Sequence, residues 1–146
     1  MSDLIFKIAE MKDNEIIYEM QRIIAMLEDG HSCVLFETDS IFPIYYKAIK
    51  KDGVMRYYAV NVPKEQKELA FSYLESINNI PVEEMIDRFC SYISADSEVW
   101  KQKKIFDSLN YGWIMQTEAL QIIGVLKEND DSAEFCFVKE DGTKFI

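Results

Sequence analysis

Asp52-Gly53 stands between two strand-like runs, Ile44 to Ile49 and Met55 to Val60, and nothing else in the chain restricts its fold so tightly. A type I′ turn needs two successive residues with positive φ. Asp-Gly supplies them at least cost, and the turn's twist matches that of the strands it joins. A two-residue turn puts Lys51 opposite Val54 and Tyr46 opposite Ala59. Because side chains alternate, one face then carries Ile44, Tyr46, Ala48, Met55, Tyr57 and Ala59 toward a core. The other face carries Tyr45, Lys47, Ile49, Val54, Arg56, Tyr58 and Val60.

Elements of helical period surround this hairpin. Ile16, Ile17, Met20, Ile23, Ile24 and Leu27 recur at one-face spacing, which predicts a helix from about Asn14 to Asp29 with that stripe against the core. Asp13 is the expected N-cap and Gly30 the expected residue past its end. Leu4 to Ala9 fits an edge strand or an extra turn, and Ser32 to Glu37 reads as a strand. Proline is tolerated in a first helical turn, so Pro63 predicts a helix over about Lys64 to Ile77, and Pro81 one over Val82 to Ile93. The second has Val82, Met85, Ile86, Phe89 and Ile93 on one stripe. A third helix is expected from Ser97 to Leu109 around Trp100, Ile105 and Leu109. Thr117 to Glu128 leans to helix despite Gly124. The runs Glu134 to Lys139 and Thr143 to Ile146 flank Asp141-Gly142 as a second hairpin. The expected fold class is α+β, with a mainly antiparallel sheet built from hairpins and packed by several amphipathic helices, residues 1–146 forming one domain.

The apolar content, 49% of 146 residues, suffices for one core. No run approaches a membrane span, and the start lacks a basic region followed by an apolar one, so a cytoplasmic location is expected. Three widely spaced cysteines, Cys33, Cys90 and Cys136, predict buried thiols in a reducing compartment and not a disulfide framework.

Candidate chemistry is sparse. His31 and Cys33 would emerge on one strand face, but roughly 7 Å apart, too far for an imidazole to take the thiol proton directly. One histidine and scattered cysteines lack zinc-site spacing. Glu128-Asn129-Asp130-Asp131 has hard-cation ligand types without the glycine and distal glutamate of a calcium loop. Glu83, Glu84 and Asp87 share a helical face, where the helix dipole alone favours carboxylates in the first turn. The five glycines never cluster, so no phosphate-binding loop exists. No cofactor or metal is expected. Tyr45, Tyr58, Lys47, Lys51 and Arg56 interleave rings and cations as stacking platforms on nucleic acid do, but a covering amphipathic helix would explain the same residues.

Charge is the remaining signal. The chain has 26 Asp and Glu against 16 Lys and Arg, a net of −10. The excess is blocky: residues 13–40 carry −6, 73–98 carry −5 and 118–146 carry −4, while 41–72 carry +3. Such a field repels nucleic acid and anionic membrane and attracts basic proteins. The expectation is therefore a binding protein that meets a basic protein partner through Glu37, Asp39, Glu83, Glu84, Asp87, Asp130 and Asp131. In size, acidity and lack of catalytic motifs, the chain is similar to the broad category of small bacterial immunity or antitoxin proteins, which plug the basic active site of a toxin such as a nuclease. Two alternatives are a small enzyme using Cys33 or carboxylates in a cleft, and a regulatory or oligomerisation module joined through the central hairpin.

Overall fold

The computed structural model describes residues 6–35, 38, 40–106 and 112–146. Strands β1 (Tyr45–Lys51) and β2 (Val54–Asn61) form the expected hairpin, with Tyr46 opposite Ala59 and Lys51 opposite Val54. Asp52 and Gly53 take φ of 51° and 82°, as the type I′ turn requires. A register shift between Tyr45 and Tyr46 sets Tyr45 opposite Asn61.

The segment after Pro63 departs from expectation. A 3-10 stretch, Lys64–Leu69, gives way to strand β3 (Tyr73–Ile77), where the sequence predicts continuous helix. Phe71 breaks the helical path at φ 64°. Asn78 and Asn79, both at positive φ, then make a tight turn into β4 (Ile80–Pro81), since asparagine tolerates the left-handed region better than most residues. β5 (Phe135–Val138) and β6 (Lys144–Phe145) form the C-terminal hairpin. The antiparallel sheet runs β1-β2-β3-β5-β6, with β4 on the end of β3, and together with the helices makes an α+β fold.

Helices α1 (Asp13–Ala25), α2 (Val82–Cys90), α3 (Glu98–Phe106) and α4 (Thr117–Ile122) complete the architecture; α1, α2 and α4 are shorter than their periods suggest, and Leu109, expected on the third helix, lies outside the described residues. Ser32–Leu35 is loop, not strand, so His31 and Cys33 share no strand face. Residues 6–10 are helical and 3-10 turns, the extra-turn alternative.

One cluster of buried residues fills the space between sheet and helices. The hairpin contributes Ile44, Tyr46, Tyr57 and Ala59, β3 contributes Leu74 and Ile77, and β5 contributes Phe137. Met85 and Phe89 of α2, Ile105 and Phe106 of α3, and Ala119 and Leu120 of α4 pack onto them. Tyr57 stacks on Phe106 with centroids 3.5 Å apart, and Phe106 meets Tyr46 edge-on at 5.9 Å. Side chains of this size stabilise by about 3–5 kcal/mol each relative to alanine. The outward face differs at one position, Tyr58, which is buried against Tyr73 and donates its hydroxyl to Glu140 of the C-terminal turn; no covering helix is involved.

Helix α1 attaches differently from the rest. Its buried residues are Tyr18 and Gln21, not the isoleucine stripe. Tyr18 lies edge-on to Tyr92 and Trp113, at 6.3 and 5.6 Å. Gln21 holds the Val34 backbone at both ends, donating from Nε2 to the carbonyl (2.7 Å) and accepting from the amide (3.2 Å). Four isoleucines are only half-buried, while Met20 and Leu27 are exposed. Lys12, not Asp13, caps the start, its amide donating to Glu15. Past the end, Glu28 takes the left-handed conformation in place of Gly30. Gly30 is small for another reason: a Cβ there would sit 2.9 Å from the Trp100 ring nitrogen.

Candidate functional site

Of the seven carboxylates expected to meet a partner, Glu37 and Asp39 lie outside the described residues. Glu83, Glu84 and Asp87 project from α2 and are exposed, because Val82, Met85 and Phe89 take the buried side. Glu84 is already engaged. It holds Arg88 at 2.5 Å, and Arg88 donates to the Ile123 carbonyl at the end of α4, one of the acceptors a helix terminus leaves open. Glu83 and Asp87 belong to the neighbouring face, one turn apart, and continue to Cys90.

That face meets α3 and the hairpin. The Cys90 thiol lies 3.9 Å from Glu98, and burial, then Glu98, push its pKa up, with Asp87 adding in the same sense. The Tyr57 hydroxyl donates to Gln102 and is pushed up to about 12 by burial first and by Glu83 second. A thiol so placed is held protonated, the opposite of a catalytic thiolate.

A second acidic block arrives at the same place from the end of α1. Asp29 donates its amide to Ser94, and Lys104 donates to the carbonyls of Gly30 and Ser94, both at 2.7 Å. Asp96 reaches toward Gly30. Lys101 pairs with Glu98 at 3.0 Å, and Glu28 helps raise its pKa after the Glu98 hydrogen bond and burial are accounted for. Each lysine of α3 has a partner: Lys101 the exposed carboxylate of Glu98, Lys104 the carbonyls of Gly30 and Ser94, and the exposed Lys103 the Trp100 ring at 4.9 Å. Glu28, Asp29, Asp96, Glu98, Asp87 and Glu83 form an acidic ridge drawn from residues 13–40 and 73–98. Sequence reasoning singled out only Glu83 and Asp87 of these. The others carried no motif beyond membership of the two blocks.

Asp130 and Asp131 are exposed in a loop held elsewhere. Gln121 donates to the Asp130 carbonyl at 3.1 Å, and Lys12 pairs with Glu128. Two cations of the basic hairpin share one carboxylate. Glu140 accepts from Lys51 and Tyr58 and lies 3.7 Å from Arg56, whose guanidinium also covers the Tyr73 ring at 4.6 Å. Lys51, then Tyr58, hold the Glu140 carboxyl below its usual range. Of the residues suggestive of a stacking platform, Tyr58, Lys51 and Arg56 are thus engaged within the fold, while Tyr45 and Lys47 stay exposed.

Cys33 and His31 are both exposed and Cys90 and Cys136 only half-buried, correcting the expectation of buried thiols, and His31 lies 3.6 Å from Asp29. Among the described residues, no group of three or more His, Cys, Asp or Glu is placed to hold a metal ion. No helix among them is long and apolar enough to cross a membrane. No protein-family model matches the chain, and no curated protein or solved structure shows significant similarity to it.

Proposed function

We propose that this is a small acidic binding protein that engages a basic protein partner, in the manner of an immunity or antitoxin protein that blocks a nuclease toxin. One observation supports the reading above the rest: carboxylates from two acidic blocks adjoin along α2, α3 and the end of α1, while Lys104 beside them is bound to backbone carbonyls and Lys101 offsets only Glu98. Partner lysines and arginines that ordinarily contact phosphate would meet Glu83, Asp87, Glu98, Glu28 and Asp29. Charges of this kind accelerate encounter and fix orientation, whereas buried apolar contacts set the lifetime of the complex. Cytoplasmic residence fits such a role.

The test is retention of a basic protein from the source cells on the immobilised chain at low salt, compared with a Glu83→Lys/Asp87→Lys variant. Retention by the native chain, lost in the variant and at high salt, supports the reading. Equal retention by both, or none by either, overturns it.

A second reading rests on the uncovered outer face of the hairpin, where Tyr45, Ile49, Val54 and Val60 are exposed on β1 and β2. These residues fit a self-interface in an oligomerisation module. A strictly monomeric mass at high concentration eliminates it.

A further inference from the structure

Trp100 stands where the two acidic blocks of the ridge meet. Its indole Nε1 packs against Gly30, where an added Cβ would lie 2.9 Å away, and Asp96 Oδ1 lies 3.7 Å from the same point. Gly30 follows Asp29 of the first block, and Asp96 and Glu98 belong to the second. The Trp100 amide donates to the Ser97 hydroxyl at 3.3 Å, so the residue is fixed at its backbone and along one ring edge. The side chain nonetheless stays 36% exposed, with Val99 beside it at 68%. Tryptophan is enriched at the anchoring centre of protein interfaces because it offers a large rigid surface with little entropy to lose.

The ring already carries a cation of the chain itself. Lys103 holds its ammonium 4.9 Å from the ring centroid, within the range over which an indole face attracts positive charge. The charged groups around the ring are Glu28, Asp29, Asp96 and Glu98 against His31, Lys101, Lys103 and Lys104. Lys101 is held by Glu98, Lys104 by the carbonyls of Gly30 and Ser94, and His31 lies 3.6 Å from Asp29. Glu28 and Asp96 form no ion pair among the described residues. Lys103 is exposed and engages the ring alone, so it moves into water at little cost. It is also the weaker kind of occupant. An ammonium is compact and strongly hydrated, whereas a guanidinium is planar, weakly hydrated and stacks on an aromatic face while its fork bonds a carboxylate. Asp96, which shares the Gly30 contact with the ring, is the carboxylate open to that fork.

We propose that Trp100 is the seat of an arginine side chain of the basic partner, which displaces Lys103 from the ring and is bonded by Asp96. The proposal rests on the proposed function and adds which cation the ridge selects. Its carboxylates attract lysine and arginine alike through a field that salt screens; the ring distinguishes the two by stacking.

Labelled octa-arginine and octa-lysine peptides serve as probes, each titrated against the full chain at about 0.05 M salt by fluorescence anisotropy. The native chain binds both, and octa-arginine at least about threefold tighter. Trp100→Leu lowers octa-arginine to the octa-lysine level and leaves octa-lysine unchanged, with circular dichroism checking the fold. Trp100→Phe, whose ring attracts cations less strongly, keeps part of the preference, which a merely structural role for the side chain would not produce. Lys103→Gln, which clears the ring face, strengthens octa-arginine more than octa-lysine. Equal affinity of the native chain for the two peptides, or a preference that survives Trp100→Leu, overturns the arginine seat and leaves the ridge standing. Failure of the native chain to bind either peptide overturns the ridge reading and the seat with it.

Discussion

Replacing Tyr18 with alanine should release α1 while leaving the rest of the fold standing. Tyr18 is 2% exposed, and together with Gln21 it accounts for the buried residues of α1. Truncating a buried aromatic of this size costs about 3–5 kcal/mol. What remains is the Gln21 bridge to Val34, worth about 1–3 kcal/mol at most, and four half-buried isoleucines. An isolated helix of 13 residues is marginal in water, so loss of docking is loss of helix. Amide hydrogen exchange separates the outcomes, because local opening and global unfolding protect different segments. In Tyr18→Ala, exchange across Asp13–Ala25 should accelerate by about a hundredfold or more, the factor corresponding to about 3 kcal/mol, while β3 and β5 keep most of their protection. Phe89→Ala, which removes a fully buried ring of α2, should instead lower protection throughout. Acceleration spread evenly over the chain in Tyr18→Ala would refute the idea that α1 is a separately held unit. So would unchanged exchange in α1.

Other perturbations address different forces. Gly112 has φ −59°, open to any residue, yet a Cβ there would lie 2.5 Å from the Ile105 carbonyl and 2.7 Å from Phe106 backbone atoms. Gly112→Ala should therefore cost about 3 kcal/mol in chemical denaturation, from overpacking against main chain that has no rotamer to yield. Gly53→Ala meets no atom within 4 Å and should cost only the left-handed penalty of about 1 kcal/mol; similar losses for the two would contradict this division. Acid should destabilise through the C-terminal hairpin. Lys144, then Cys136, hold Glu75 below its ordinary value of 4.5, and Lys51, then Tyr58, do the same for Glu140. Between that value and the lower folded one, the unfolded chain binds more protons, so the contribution is complete above about pH 4.5 and disappears as pH falls through the folded values. Thermal melts from pH 6 to pH 3 should show a shallower decline in Glu75→Gln/Glu140→Gln than in the native chain. Parallel declines would remove these two carboxylates from the account.

Local signals and tertiary ones were unequally legible in the sequence. The Asp52-Gly53 hairpin, its register and its core face follow from turn chemistry and alternation alone, and α2 follows from the spacing of Val82, Met85 and Phe89. The run Lys64 to Ile77 misled because Leu69, Leu74 and Ile77 suit helical spacing as well as a strand, and Asn78-Asn79 is a weaker turn signal than Asp-Gly. The face of α1 was misassigned for a different reason. Its isoleucines form the obvious stripe, yet Tyr18 and Gln21 were chosen by partners distant in sequence, Tyr92, Trp113 and Val34, which no local pattern shows. The ridge was legible only as charge blocks. That Asp29 and Gly30 adjoin the segment after α2 depends on Lys104, Ser94 and the tight approach of Gly30 to Trp100. The meeting of Lys51 and Arg56 with Glu140 likewise depends on sheet order.

The most direct test of the acidic ridge is the association rate of the retained basic protein as a function of ionic strength, for the native chain and for Glu83→Gln/Asp87→Asn. Steering by the ridge predicts a rate that falls steeply as salt rises from about 0.01 to 0.15 M, where the screening length shortens from about 30 to 8 Å, and a shallower fall in the variant. A rate indifferent to salt, or identical slopes for the two proteins, contradicts it.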